Sequence, residues 1–202
     1  MINTNLTKEL VDEHKLIKKM ISVLENAVKR FKENNDLDIL IFEKAIDFIP
    51  NYADKFHHAK EEDILFKEML NKNMPKEDGP IQAMLIEHEQ GRDFVKGMKK
   101  SIDELNKSKG NKKKEEKNEK DEDKIKQDEI KQNLIKNAKG YIELLKEHID
   151  KEDNILYPLA EKIFNDDEKQ EQLIAFDKAN KNKGGKNTVE KYEKIVKDLE
   201  KE

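Results

Sequence analysis

The chain has 202 residues, 43% of them charged and 35% hydrophobic, with a formal net charge of -4. That length suits a single well-buried core with an appendage, and the two signs of charge are mixed along it, leaving no basic face to neutralise phosphates and so disfavouring nucleic acid as a partner. Cysteine is absent, which removes disulfides, thiolate nucleophiles and thiolate ligands together, so any metal must be held by nitrogen and oxygen.

Four long segments carry apolar residues in steps of three and four, the period of helices packed side by side. The first, from about Thr7 to Glu33, has the stripe Leu10, His14, Ile17, Ile21, Leu24, Val28 and Phe31, so a histidine occupies a core position. The second, from about Asp38 to Asn71, contains Pro50, which removes a backbone donor and crowds the preceding turn; a kink is expected there. Its stripe runs through Ile46, Ile49, Ala53 and Phe56 into His57, Glu61, Ile64 and Leu65. A Pro- and Gly-containing loop, Met74 to Pro80, precedes the third helix, whose stripe is Ile81, Met84, His88, Gly91, Val95, Met98, Ile102 and Leu105. The run 106–124 has no apolar side chain and reads as a solvated linker. The fourth helix, from about Lys126 to Phe164, carries Ile130, Leu134, Ala138, Tyr141, Leu145, His148, Glu152, Ile155, Leu159 and Ile163. Two shorter stretches follow, about Glu168 to Asn180 and Thr188 to Glu200, separated by Lys183-Gly184-Gly185-Lys186; Leu173, Phe176, Tyr192, Ile195 and Leu199 are placed to pack them on the bundle as a cap. No segment approaches the eighteen or so apolar residues of a membrane span, and MINTNLTKEL lacks a signal-peptide pattern, so a cytoplasmic protein without membrane contacts is expected.

Two segments read almost alike, HHAKEEDILF from His57 and HIDKEDNILYP from His148. Each sets a histidine four residues before a glutamate, a step of about 400° on an α-helix that puts both side chains on one face about 6 Å apart. Aligning the copies pairs His57 with His148 and Glu61 with Glu152, leaving His58 and Glu62 without an equivalent; His58 lies about 100° further round and reads as a flanking residue. Asp153 rivals Glu152 but sits about 140° off the histidine's direction, and only a π-bulge would bring it inward. His14, His57, His88 and His148 thus fall in the core stripes of four different helices. Four imidazoles and two carboxylates buried without partners would cost several kcal/mol per charged group, which a bound cation compensates; a buried hydrogen-bonded network is the alternative. Imidazole with carboxylate suits iron, manganese or zinc. Six ligands exceed the needs of one tetrahedral zinc and favour a dinuclear centre. Ferritin-like di-metal bundles differ, using Glu-x-x-His with the carboxylate first.

HHAKEEDILF, GPIQAMLIEHEQGR around His88, and HIDKEDNILYP resemble the hemerythrin-like family, the HHE cation-binding domain, over about His14 to Pro158. The resemblance implies a cofactor of two non-haem iron ions with an oxo or hydroxo bridge, with Glu61 and Glu152 bridging and His14, His57, His88 and His148 as terminal ligands. It also implies binding of oxygen, nitric oxide or peroxide, or iron–sulfur cluster repair. Oxygen-carrying members place a second histidine one turn after the third-helix histidine, where this chain has Arg92. The histidine count thus drops to four, which moves the reading from pure oxygen carriage toward peroxide or nitric oxide. Repair members carry an N-terminal cysteine-bearing segment, and cysteine is absent here. Tyr141, seven residues before His148, is expected in core packing, and Arg92 is expected to turn to water.

The expected architecture is all-α, an up-down-up-down four-helix bundle over residues 1–165 with a helical C-terminal cap over 166–202. The expected function is binding of a small diatomic or peroxide ligand for storage, sensing or scavenging rather than enzymatic turnover. A di-iron peroxidase and an iron-storage or interaction bundle that never meets a gas are the alternatives.

Overall fold

The fold follows from where the apolar stripes can be buried and from what ends each helix. A computed structural model describes residues 5–110 and 119–201, and among these every regular element is helical, with no strand. Helix α1 (Lys8–Asn34) is tied down at its start, where the Thr7 N–H and hydroxyl both donate to Glu161 Oε1 at 2.7 and 3.0 Å. It ends at Asn35, whose left-handed φ of 54° lets its N–H reach the Phe31 carbonyl at 2.9 Å.

Helix α2 (39–71) starts on Asp38, which accepts from the Leu40 N–H at 3.0 Å. At Pro50 the expected break takes the form of a change of winding. The chain is α-helical over Ile39–Phe48, π-helical over Ile49–His58 and again over Glu61–Leu65, and α-helical over Phe66–Asn71. In α geometry the proline ring would crowd the carbonyl four residues back, and a wider turn with i→i+5 bonding avoids that clash. Helix α3 (Pro80–Gly110) opens on a proline, and helix α4 (119–163) has one π turn, Glu152–Leu156. Both ends of the 106–124 run are therefore helical, and 111–118 of the expected linker lies outside the described residues. Helices α3 and α4 approach closely, since a Cβ at Gly140 would stand 2.4 Å from the Phe94 ring. A capping box on Asn165 and Glu168 starts α5 (Asp166–Asn182), and Gly184 and Gly185, both at positive φ, turn the chain into α6 (Gly185–Leu199).

Burial divides the interior in two. One apolar cluster runs from Leu16 to Phe31 on α1, through Phe56 on α2, from Val95 on α3 and up to Ile149 on α4, and it takes in Tyr192, Val196 and Leu199 of α6. The other gathers Leu10, Leu65, Phe66, Met69, Ile81, Met84, Leu156, Tyr157 and Phe176 of α5. On each of the four longer helices the histidine or glutamate of the expected site falls at or near the gap between the clusters, so the site is a polar layer sandwiched by two apolar ones. Among the described residues no helix is long and apolar enough to cross a membrane.

Phe176 is fully buried against residues of α2, α3 and α4. Phe176→Ala is expected to cost about 3 kcal/mol through the cavity it leaves, read as a fall in denaturation midpoint; a change under about 1 kcal/mol would mean that α5 is a loose appendage.

Candidate metal centre

Seven buried side chains with metal-binding donors meet in the polar layer, in two groups whose donor atoms lie within 4.8 Å of one another: His14, His57, Glu61 and Glu152, and His58, His88 and His148. Each of the four longer helices contributes. Glu61 Oε2 stands 3.7 Å from His57 Nε2 and 3.6 Å from His88 Nε2, so one oxygen faces a histidine of each group. Glu152 faces both groups with different oxygens, Oε2 at 3.2 Å from His14 Nε2 and Oε1 at 3.2 Å from His148 Nε2. His88 and His148 present their Nε2 atoms 3.0 Å apart. The other Glu61 oxygen accepts from the Tyr157 hydroxyl at 2.6 Å, and that ring lies parallel to His14.

All six of the expected residues are brought together, and a seventh joins them. His58, read from sequence as flanking, is buried, with its ring stacked on His88 at 3.8 Å between centroids. The π winding of Ile49–His58 is the cause: with an extra residue per turn, successive side chains fan out over a smaller angle, and His57 and His58 both face inward. Five histidines thus gather in the layer where four were expected. Two signals pointed this way, a proline inside the helix seven residues before the His-His pair and the histidine missing at Arg92. Asp153 stays outside both groups. The π turn of α4 begins at Glu152 itself, so the step from His148 to Glu152 is made on α geometry, and Asp153 meets His14 from behind.

Behind each histidine stands a carboxylate that sequence reading did not assign. His14 Nδ1 pairs with Asp153 at 2.7 Å, His57 with Glu13 at 2.8 Å, His88 with Glu62 at 2.6 Å and His148 with Glu87 at 2.9 Å, while His58 Nδ1 faces Asp54 at 3.7 Å. Such partners fix the ring orientation and leave Nε2 for the interior. Each acid in turn meets a cation: Asp153 meets Lys18, Glu13 meets Lys60, Glu87 meets Lys151, and Arg92 holds both Asp54 and Glu62. Arg92 is therefore not turned to water; with the guanidinium and His58 against it, Asp54 titrates well below the usual range although burial opposes this.

The electrostatics of the layer call for positive charge. Burial and the neighbouring Glu152 push Glu61 well above its ordinary value. Burial acts on Glu152 too, but His148 and His14 hold it well below. Burial pushes His57 well down, and burial with His88 beside it pushes His58 down to about 3, so both are neutral imidazoles, the form that binds metal. His148 moves the other way: burial opposes its charge, yet Glu152 and Glu87 raise it to about 9. His57 Nε2, Glu61 Oε2 and both Glu152 oxygens have no hydrogen-bond partner although fully buried. A self-satisfied network, the alternative left open by sequence, would not leave four converging orphans, each costing about 1–3 kcal/mol or more if charged. A bound cation satisfies them together.

The family model of the hemerythrin HHE cation binding domain matches residues 5–160. The chain belongs to this family. With the buried His and Glu groups, membership points to a metal-binding protein. No curated protein and no solved structure matches the chain. In this hemerythrin-like chain α5 and α6 lie beyond the matched residues.

On the three-histidine side a cavity of about 610 Å³ opens, lined by His58, His88 and His148 with Ile49, Val95 and Tyr141 among its walls. Tyr141 packs in the core, as expected, and burial raises its phenol, whose oxygen makes no hydrogen bond. Gly91 leaves this wall thin, although a Cβ there would meet Leu145 and Tyr141 at ordinary contact distances of 3.6 and 3.7 Å.

Because His58 resists protonation in the folded metal-free protein but not in the unfolded chain, its contribution to stability is complete above about pH 6.5 and is lost as pH falls toward its folded value. The stability gap between wild type and His58→Gln should therefore narrow by about 2 kcal/mol between pH 7 and pH 5, measured by urea unfolding of the metal-free proteins. A gap independent of pH would contradict a buried neutral imidazole.

Proposed function

We propose that the chain is a di-iron protein of hemerythrin type that binds oxygen or a related small ligand, nitric oxide or peroxide, for storage, sensing or scavenging, with α1 to α4 forming an up-down-up-down bundle around the centre. The observation that carries this reading is the pair of donor groups joined by two carboxylates, with four of their atoms orphaned. His14 and His57 would hold one ion and His58, His88 and His148 the other, with Glu61 and Glu152 between them. The donor set is nitrogen and oxygen alone, which suits iron. Bound there, a ferrous pair supplies the electrons with which a small oxidant is bound or reduced.

The chain's own residues shape what can happen there. With three imidazoles on one side and two on the other, the His14 and His57 side has fewer protein donors, while the cavity opens on the side of His58, His88 and His148. With five histidines present, the shortage that favoured peroxide or nitric oxide over oxygen no longer holds. The apolar clusters on both faces keep bulk water from the layer, and the Tyr157 hydroxyl holds a proton at Glu61 Oε1, where it can be shared with a ligand arriving beside His14.

Anaerobic loading is expected to give about two irons per chain, one for each donor group, and the reduced protein should change its absorption on addition of oxygen, nitric oxide or peroxide. Loss of a carboxylate behind a ligand costs about 10–100-fold in metal affinity, and His58→Ala, which removes a ligand outright, should weaken one of the two ions by at least that much. A single zinc per chain, or reduced protein silent to all three ligands, would defeat the proposal; rapid reductant-dependent peroxide turnover would favour the peroxidase reading.

A further inference from the structure

Of the five acids behind the histidines, Glu13 is held differently. The side chains of Lys18, Lys151 and Arg92 are 53%, 38% and 28% exposed, whereas that of Lys60, against Glu13, is 1% exposed. Lysine is almost never buried to this degree unless paired. Lys60 Nζ has three N–H groups and three acceptors, Glu9 Oε1 at 2.6 Å, Glu13, and Asn180 Oδ1 at 3.0 Å, and it lies 4.6 Å over the Phe56 ring. Asn180 also donates from Nδ2 to Glu9 Oε1 at 2.6 Å. Asn180 belongs to α5, outside the residues that match the family.

We propose that Asn180 is a positioning residue for one half of the metal centre: through it the α5–α6 hairpin fixes Lys60, Lys60 fixes Glu13, and Glu13 fixes the ring of His57. This rests on the reading of the layer as a two-metal site and adds a control from outside the family domain. The link is polar where it crosses. A groove of about 1220 Å³ runs along α1 beside the hairpin, with Glu9, Glu13 and Asn180 in its wall, so hydrogen bonds rather than packed side chains join α5 to α1 there. Without the amide, one Lys60 N–H loses its protein acceptor and Glu9 loses a donor, and the flexible lysine stem is free to leave Glu13. The hydrogen bonds of the other four acids run to Lys18, Arg92 and Lys151, and none passes through α5 or α6.

The test uses the full chain with Asn180→Ala and, as a control, Gln172→Ala, which removes a buried polar side chain of α5 whose only hydrogen bond among the described residues is to the Glu168 carbonyl. In the metal-free proteins, ring-nitrogen NMR shifts should move for His57 in Asn180→Ala and stay in place for His148; neither should move in Gln172→Ala. On titration with ferrous iron against a competing chelator, Asn180→Ala should weaken one ion by about tenfold and leave the other unchanged, and Asn180→Ser, which keeps a short acceptor, should fall between. His57 shifts that match wild type, or equal movement of His57 and His148, would overturn the proposal. Wild type that takes up no metal would defeat the two-metal reading, while the NMR comparison would still decide the Asn180 link.

Discussion

Two carboxylates, Glu61 and Glu152, face one another in a buried layer, and three of their four oxygens accept no hydrogen bond. In an apolar medium this repulsion and desolvation cannot be met by the chain alone. Glu61 is pushed up and Glu152 down, so charge is shared unevenly between chemically identical groups. Cations between them would remove the conflict, and much of the surrounding structure holds these two groups and the five imidazoles together.

The holding is done in successive rings of charge. Five carboxylates stand behind the five histidines and meet four cations, Arg92 serving two of them. Four of the imidazoles are thus oriented by a hydrogen-bonded acid whose own charge is mostly balanced from outside, and the fifth, His58, faces Asp54 at 3.7 Å. That arrangement explains a composition in which charged residues outnumber hydrophobic ones in a chain that still builds two apolar clusters. The charges nearest the layer orient ligands, and those further out face water.

How much of this was legible in the sequence depended on whether the backbone stayed α-helical. His14, His88 and His148 lie on α geometry, and their stripes placed them in the core without any coordinates. His57 and His58 both lie on π winding; the repeat singled out His57, while a 100° step per residue turned His58 away and made it a flanking residue. The acids behind the histidines were hidden for a different reason. Glu13, Asp54, Glu62 and Glu87 sit beside the stripes rather than in them, among many similar acids, and only the contacts between helices single them out. Asn180 was the least visible, since its role depends on two residues more than a hundred positions away.

The duplicated spacing in α2 and α4 also conceals an inequality. By sequence Glu61 and Glu152 are equivalent members of a repeated His-x-x-x-Glu pair. In the fold, Tyr157 from α4 reaches Glu61 and takes one of its oxygens, leaving a single oxygen between His57 and His88. Nothing engages Glu152 in the same way, and its two oxygens each address a different histidine group. A carboxylate with both oxygens free would offer one atom to each of two ions, while Glu61 would have one of its oxygens already engaged by a phenol. The two carboxylates therefore differ in the oxygens they leave free before any difference in histidine count is considered, and that asymmetry follows from one tyrosine present only in the second copy, where the first has Phe66.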